Sequence, residues 1–476
     1  MKFLKHLILT ALFLFTFTLI NAQIVKEELI KTVNYLASKE LAGRLPGSDG
    51  YTKAAKYMAA ELAKLNFKPG GDNNYFQKLK VEYNEISAPE HFSVIKNGKT
   101  INYKIGDDYV YRGFSGAGNF TVPVVFCGYG LSQPELGYDD YSGIDVKGKV
   151  VLAFKYNPKW NIDGKTFTNG NPREKAIVAA NHGAVGILFV SFPNDAEPQR
   201  PIGSVIHGEG EQMINFPEIH IDLPVADEIL NGSSRTLKDL QTLVDSTKKP
   251  CSLQLNAKVD IEVHAKYEKE KEVVNVVGMI EGSDPELKNE YLIIGAHLDH
   301  VGSQAGKIYF PGANDNASGS AALLQIAREF FRTNEKPKRS VVFVFFASEE
   351  QGMYGSKYFS DNMRFSKEKV KAMINLDCIG YGDSIQIGGG ESAQALWNIA
   401  KQIDKENDKL LVTRTWKGGG ADAEPFFEKG IQTLYFVTTN SYKHLHMLSD
   451  KPETLNPNLF EAITKLVFKT IVKIAE

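Results

Sequence analysis

The chain has 476 residues, more than one simple core accommodates, so two or three domains are expected. Its composition, 43% apolar and 24% charged, is that of an ordinary globular protein and excludes a disordered or fibrous chain. A net charge of −2 with no basic block argues against nucleic acid as a partner.

Lys2, Lys5 and His6 precede an apolar run from Leu7 to Ile20, and Asn21-Ala22-Gln23 follows. A charged start, an apolar stretch and a small residue are the parts of a secretory signal peptide, here residues 1–22 with cleavage after Ala22. The run is shorter than the ~20 apolar residues of a membrane span, so no stable membrane insertion is expected after its removal. The signal is of bacterial type, and the expected destination is the periplasm or the medium. Cys127, Cys251 and Cys378 are too few and too scattered for a disulfide framework or a thiolate zinc site. Whether Cys127 and Cys251 pair stays open at this point.

The mature chain begins with a helix ending near Ser38 and a glycine- and proline-bearing loop at 40–50. On a second helix Ala55, Met58, Leu62 and Leu65 recur at helical spacing, and Pro69-Gly70-Gly71 stops it. From about Val122 the pattern turns to short β runs, at 122–127, 149–154 and 185–190, with a helix at 175–183. The sequence thus divides into 23–117, a β-rich module at 118–262, and 263–476, entered through the charged stretch 266–271. In the last segment strands at 291–296, 341–346, 372–376 and 433–437 alternate with helices such as 318–332. This predicts an α/β fold, a mixed sheet flanked by helices on both faces.

In open α/β sheets the site forms beyond the carboxyl ends of the strands. There the sequence places His297-Leu298-Asp299-His300, Glu349-Glu350, Asp377 and His444-Leu445-His446, with Asp315 just before a helix. Imidazoles and carboxylates in such a set suit two divalent ions, zinc above all. His297, Asp315 and Asp377 are assigned to one ion, and Asp315, Glu350 and His446 to the other. Asp315 bridges, since a carboxylate has two oxygens to share. Metals ~3.5–4 Å apart share a hydroxide, and Glu349, left free, is the expected general base. Asp299 is placed to orient the His297 imidazole, and His300 reads as structural or pocket-lining. Either His444 or His446 offers the last ligand by position alone.

The motifs resemble those of the co-catalytic zinc aminopeptidases, metallopeptidase family twenty-eight. They are His-x-Asp at 297–299, Pro-Gly-Ala-Asn-Asp-Asn-Ala-Ser-Gly at 311–319, Ser-Glu-Glu at 348–350, Asn-Leu-Asp at 375–377 and His-x-x-x-Asp at 446–450. The last spacing favours His446 over His444 as ligand. Leu41-Ala-Gly-Arg-Leu-Pro-Gly47 and the segment from Asp422 to Phe427 extend the match, although Ala421 stands where relatives carry serine. Tyr138-Asp-Asp-Tyr141, Asp145-Val-Lys-Gly-Lys149 and Asn181-His-Gly-Ala184 resemble an inserted protease-associated domain, the kind that tunes substrate access. The resemblance implies that 23–117 is the N-terminal part of a peptidase domain, 118–262 the insertion, and 263–476 the zinc-binding catalytic part.

It further implies a secreted metalloprotease acting on peptides, an aminopeptidase, with Asp422, Tyr442 and His444 as candidate substrate-binding residues. Leu445 replaces a tyrosine that in some relatives stabilises the oxyanion; Tyr442 is the nearest substitute in sequence. A carboxypeptidase or dipeptidase on the same cage is the alternative and needs a cation such as Arg414 or Lys417. Glutaminyl cyclisation is disfavoured because one-zinc relatives lack an intact first histidine, and an inactive binding protein because all five ligands and the base are present.

Overall fold

In the computed structural model, which describes residues 23–168, 170–208, 210–333 and 336–476, helix α1 (Lys26–Leu36) turns Leu29, Thr32, Val33 and Leu36 inward. Their spacing of three and four is that of one helical face. Helix α2 (Asp49–Lys64) starts where the Ser48 hydroxyl accepts from the Tyr51 amide, and it buries Tyr51, Ala55, Met58 and Leu62. The expected signal peptide, 1–22, lies outside the described residues.

The main strands are β1 (Phe76–Lys96), β2 (Gly118–Phe126), β3 (Val150–Phe154), β4 (Gly186–Val190), β5 (Glu218–Ile221) and β6 (Leu253–Ile280). They are followed by β7 (Tyr291–His297), β8 (Ser340–Phe346), β9 (Val370–Leu376), β10 (Ile385–Gly388) and β11 (Thr433–Thr438). They form one mixed sheet in the order β10-β11-β9-β7-β8-β6-β2-β3-β4-β5. The long strands β1 and β6 run antiparallel along each other, and β6 pairs β2 with its first part and β8 with its last. The charged stretch 266–271, through which the sequence enters its last segment, is therefore the middle of a strand. Both faces of the ribbon are partly solvated there, so the period-two burial signal that marks a strand is lost from the sequence.

Packing separates two halves. Leu29, Val33, Met58 and Leu62 share a core with Leu292, Ile294, Phe343 and Phe460, so the N-terminal helices belong with the last 200 or so residues in space. Helix α3 (Gly319–Thr333) and helix α4 (Pro457–Ala475) cover this face of the sheet. On the other face Ile293, Val342, Val344 and Phe346 meet Phe359 and Phe426. Alternate residues of β7 and β8 thus enter opposite cores, which is why both strands read as unbroken apolar runs. The second half packs Ile86, Phe92, Val94 and Tyr111 with Val124, Leu152, Leu188 and Val259.

Among the described residues no helix is long and apolar enough to cross a membrane. Cys127, Cys251 and Cys378 are free thiols.

Candidate metal centre

Strand order brings the chemistry together. β8, β7, β9 and β11 are parallel neighbours, so their carboxyl ends lie on one edge. His297, the last residue of β7, is level with Phe346 of β8, and Gly295 is level with Asn375 of β9. Two residues beyond Asn375 comes Asp377, and just beyond β8 come Glu349 and Glu350. Ser348, Cys378 and His446 take left-handed φ values of 57°, 52° and 56° without being glycine, a backbone cost that clusters at functional sites.

His297 Nε2 lies 3.3 Å from Asp315 Oδ1 and 3.4 Å from Asp377 Oδ1. His446 Nε2 lies 3.2 Å from Asp315 Oδ2 and 2.8 Å from Glu350 Oε2. Asp315 thus offers one oxygen to each side. Among the described residues two groups could hold a metal ion: His297, Asp315 and Asp377, and His300, Asp315, Glu350 and His446, with ligand atoms within 4.8 Å of one another. Glu349 belongs to neither group; its Oε2 stands 4.0 Å from His297 Nε2. His297 Nε2, His300 Nε2 and Asp377 Oδ1 are buried without a hydrogen-bond partner. Buried acids this dense, with the unpartnered His297 Nε2 between Asp315 and Asp377, fit divalent cations, and nitrogen with carboxylate oxygen is a zinc donor set.

A layer behind the cluster fixes its backbone. The Asp299 carboxylate accepts from the amides of Glu349 at 3.1 Å and Glu350 at 3.2 Å. The Asp299 carbonyl, 3.2 Å away, rather than its carboxylate at 3.7 Å, is the nearer partner of His297 Nδ1. Asp450 accepts from the amides of Asn314 at 2.9 Å and Asp315 at 3.1 Å. The Asn314 side chain accepts from Gly380 and Tyr381 and donates to the Ser441 carbonyl, tying three loops. Arg44, fully buried, donates to the carbonyls of Leu36, Leu298, Pro311 and Gly312, so the loop of the N-terminal motif locks the turns carrying His297 and Asp315. Removing it would leave four buried carbonyls without their donor, at about 1–3 kcal/mol for each acceptor left unsatisfied.

The charges are unevenly balanced. Burial and Asp315 push the Glu350 carboxyl up, but His446 and His300 outweigh them and bring it to about 2. Burial raises Glu349 well above the carboxylate range, with Asp422, Glu350 and Asp377 adding to it against His297. Asp299 and Asp450 are held at about 6 by burial, and Asp422 at about 7. Among the candidate substrate residues, Asp422 is fully buried and acts on Glu349 through charge alone. His444 turns away, with Nδ1 on the Ser449 hydroxyl at 2.9 Å, and joins neither group. Tyr442 is exposed, with its hydroxyl 3.1 Å from that of Tyr435.

Three contacts go beyond what the sequence reading specified, the first made by His300, read there as structural or pocket-lining. His300 Nδ1 sits 2.8 Å from Glu350 Oε1, within one of the groups; its place directly after His-x-Asp was the available signal. Tyr435 donates to Asp377 Oδ2 at 3.3 Å. From the other half, the Gly203 amide donates to the His446 carbonyl at 2.8 Å. No local pattern announces either of these.

Residues 275–471 match Peptidase family M28, and residues 120–229 match the PA domain. An aminopeptidase of Pseudomonas aeruginosa is 27% identical over 363 residues, 75% of this chain and 58% of that protein. A glutamate carboxypeptidase 2 homolog of Caenorhabditis briggsae is 24% identical over 430 residues, 72% of this chain and 52% of that one. The chain thus spans little more than half the length of these relatives. A solved zinc aminopeptidase of Bacillus subtilis has the same fold, with a TM-score of 0.64 at 17% identity, covering 95% of both chains. The chain therefore carries a domain of peptidase family M28 together with an inserted PA domain.

Proposed function

We propose that this protein is an exported zinc aminopeptidase with two zinc ions per chain, acting on peptides. His297, Asp315 and Asp377 hold one ion, and Asp315, Glu350 and His446 the other. The observation that carries this reading is the splayed Asp315 carboxylate, one oxygen toward each histidine–carboxylate set, with Glu349 outside both. Zinc bound there supplies Lewis acidity and makes water a nucleophile near neutral pH. Glu349 takes the proton of the attacking water and returns it to the leaving amine. Asp299 holds Glu349 and Glu350 through their amides, and its carbonyl keeps the His297 proton on Nδ1, leaving Nε2 free to ligate. His300 occupies Glu350 Oε1, so that Oε2 points to His446. The surplus of acids suits a free α-ammonium, and the names of the Pseudomonas and Bacillus relatives support the same activity.

The peptidase unit is proposed to comprise the N-terminal helices and the chain from β6 onward. Its insertion is proposed to start near Ile86, ahead of the expected 118, because 86–111 pack in the second core. The inserted half then supports the metal site as well as substrate access. Gly203→Ala is expected to weaken the His446 side, since a Cβ there would stand 2.6 Å from Val301 Cγ2. Zinc content measured after dialysis should fall from about two toward about one per chain, a loss of the ~10- to 100-fold in affinity typical of supporting contacts. Unchanged zinc content would remove this loop from the support of the site.

The deciding experiment is digestion of one mixed peptide pool, half of it N-terminally acetylated, followed by mass spectrometry with and without a zinc chelator. Shortening of free-amine peptides from the front, abolished by chelator, is the expected result. Shortening of acetylated peptides from the back would replace the aminopeptidase with a carboxypeptidase.

A further inference from the structure

Beside the metal-facing residues a cavity of about 1040 Å³ opens against the edge of the sheet. Strand register sets its floor. On β11, Leu434 and Phe436 enter the main core, while Tyr435 and Val437 face the other way. Gln386 of β10 lies opposite Val437, and Gly388 lies opposite Tyr435. Gly388 leaves room for the Trp416 indole, since a Cβ there would stand 2.1 Å from the ring. The segment 411–416 continues the edge, with the Val412 amide bonded to the Ile385 carbonyl. Along it Leu411 joins the core, while Val412, Arg414 and Trp416 line the cavity.

Arg414 is thereby presented to the cavity, and among the described residues no carboxylate lies within ion-pairing distance of it. The opposite wall reaches the metal-facing cluster. The Tyr442 and Tyr435 hydroxyls are 3.1 Å apart, and Tyr435 donates on to Asp377. Two acids also line the space, Asp383, which accepts from Asn440, and Glu197 of the inserted half; Lys443 is a second cation. An aromatic-walled cleft with an unpaired guanidinium is built for a methylene stem ending in a carboxylate, which the planar fork binds in a bidentate manner.

We propose that this cavity receives the side chain of the N-terminal residue being released and that Arg414 selects a carboxylate there. Peptides beginning with glutamate or aspartate are then the preferred class. This rests on the aminopeptidase reading above. A C-terminal carboxylate has the same chemistry, so the test separates the two sources.

The experiment compares kcat/KM of the zinc-loaded full chain and of Arg414→Gln on Glu-Ala-Ala, Gln-Ala-Ala and Leu-Ala-Ala, each with a free and an amidated C-terminus. The wild type should favour Glu over Gln by about tenfold, the scale of one charge-assisted hydrogen bond, and the ratio should collapse to about one in Arg414→Gln. Calorimetric titration of L-glutamate and L-glutamine into the metal-free chain reads the pocket without turnover. Glutamate should bind more tightly, and Arg414→Gln should erase the difference. A flat Glu-to-Gln ratio in the wild type, or an unchanged one in Arg414→Gln, overturns the proposal. So does an advantage lost on amidation rather than on the Glu-to-Gln exchange. Chelator-sensitive turnover of Leu-Ala-Ala, blocked by N-acetylation, would leave the aminopeptidase reading standing when the pocket proposal fails; its absence would end both.

Discussion

Glu349→Gln is expected to lower kcat by roughly 10²- to 10⁴-fold, the range for loss of a general base, while zinc stays bound. The amide keeps the side chain's volume, and the main-chain bond from residue 349 to Asp299 is unaffected. Glu349 stands outside both groups of candidate ligands, so the substitution removes a proton acceptor and no ligand. The measurement pairs steady-state rates with zinc content on the same preparation. A near-normal rate with full zinc would sink the base assignment. A parallel loss of zinc would instead move Glu349 among the ligands.

Asp315→Ala is expected to abolish turnover and to empty both positions, because Asp315 is the one residue common to the two groups. Its carboxylate stands against His297 with one oxygen and against His446 with the other, and alanine reaches neither. His446→Ala and Asp377→Ala each touch one group, so each should retain about one zinc. The contrast in zinc content between one- and two-site loss is therefore the readout. Thermal stability should follow: a ligand at 100 times its Kd stabilises the folded state by about 2.7 kcal/mol, which each emptied site forfeits. Asp315→Ala protein that still binds about two zinc ions would exclude the bridging role.

The site was more legible in sequence than the boundaries of the fold. His297, Glu349, Glu350 and Asp377 stand next to strands whose apolar runs announce burial on both faces, and parallel strands deliver such residues to one edge, while Asp315 stands just before helix α3. His446 lies a loop beyond β11, and its choice over His444 rested on the spacing to Asp450. The structure gives that spacing a physical use, since Asp450 holds the amides of Asn314 and Asp315. The strand at 266–271 was not legible because a solvated two-stranded ribbon carries no one-sided apolar pattern.

Local pattern alone determined that the chain has an α/β half with a zinc-type donor set on one sheet edge, because strand burial and ligand chemistry are both written within a few residues. Long-range placement was decided only by tertiary structure. That covers the return of α1 and α2 to the core of β7, β8 and α4, the grip of Arg44 on four carbonyls, the hydrogen bond of Gly203 to His446, and the meeting of Arg414 with Tyr435 and Tyr442 across one cavity. These contacts join residues far apart in the chain, where no periodicity connects them. Their partners are fixed by how the sheet is ordered and how its two halves pack.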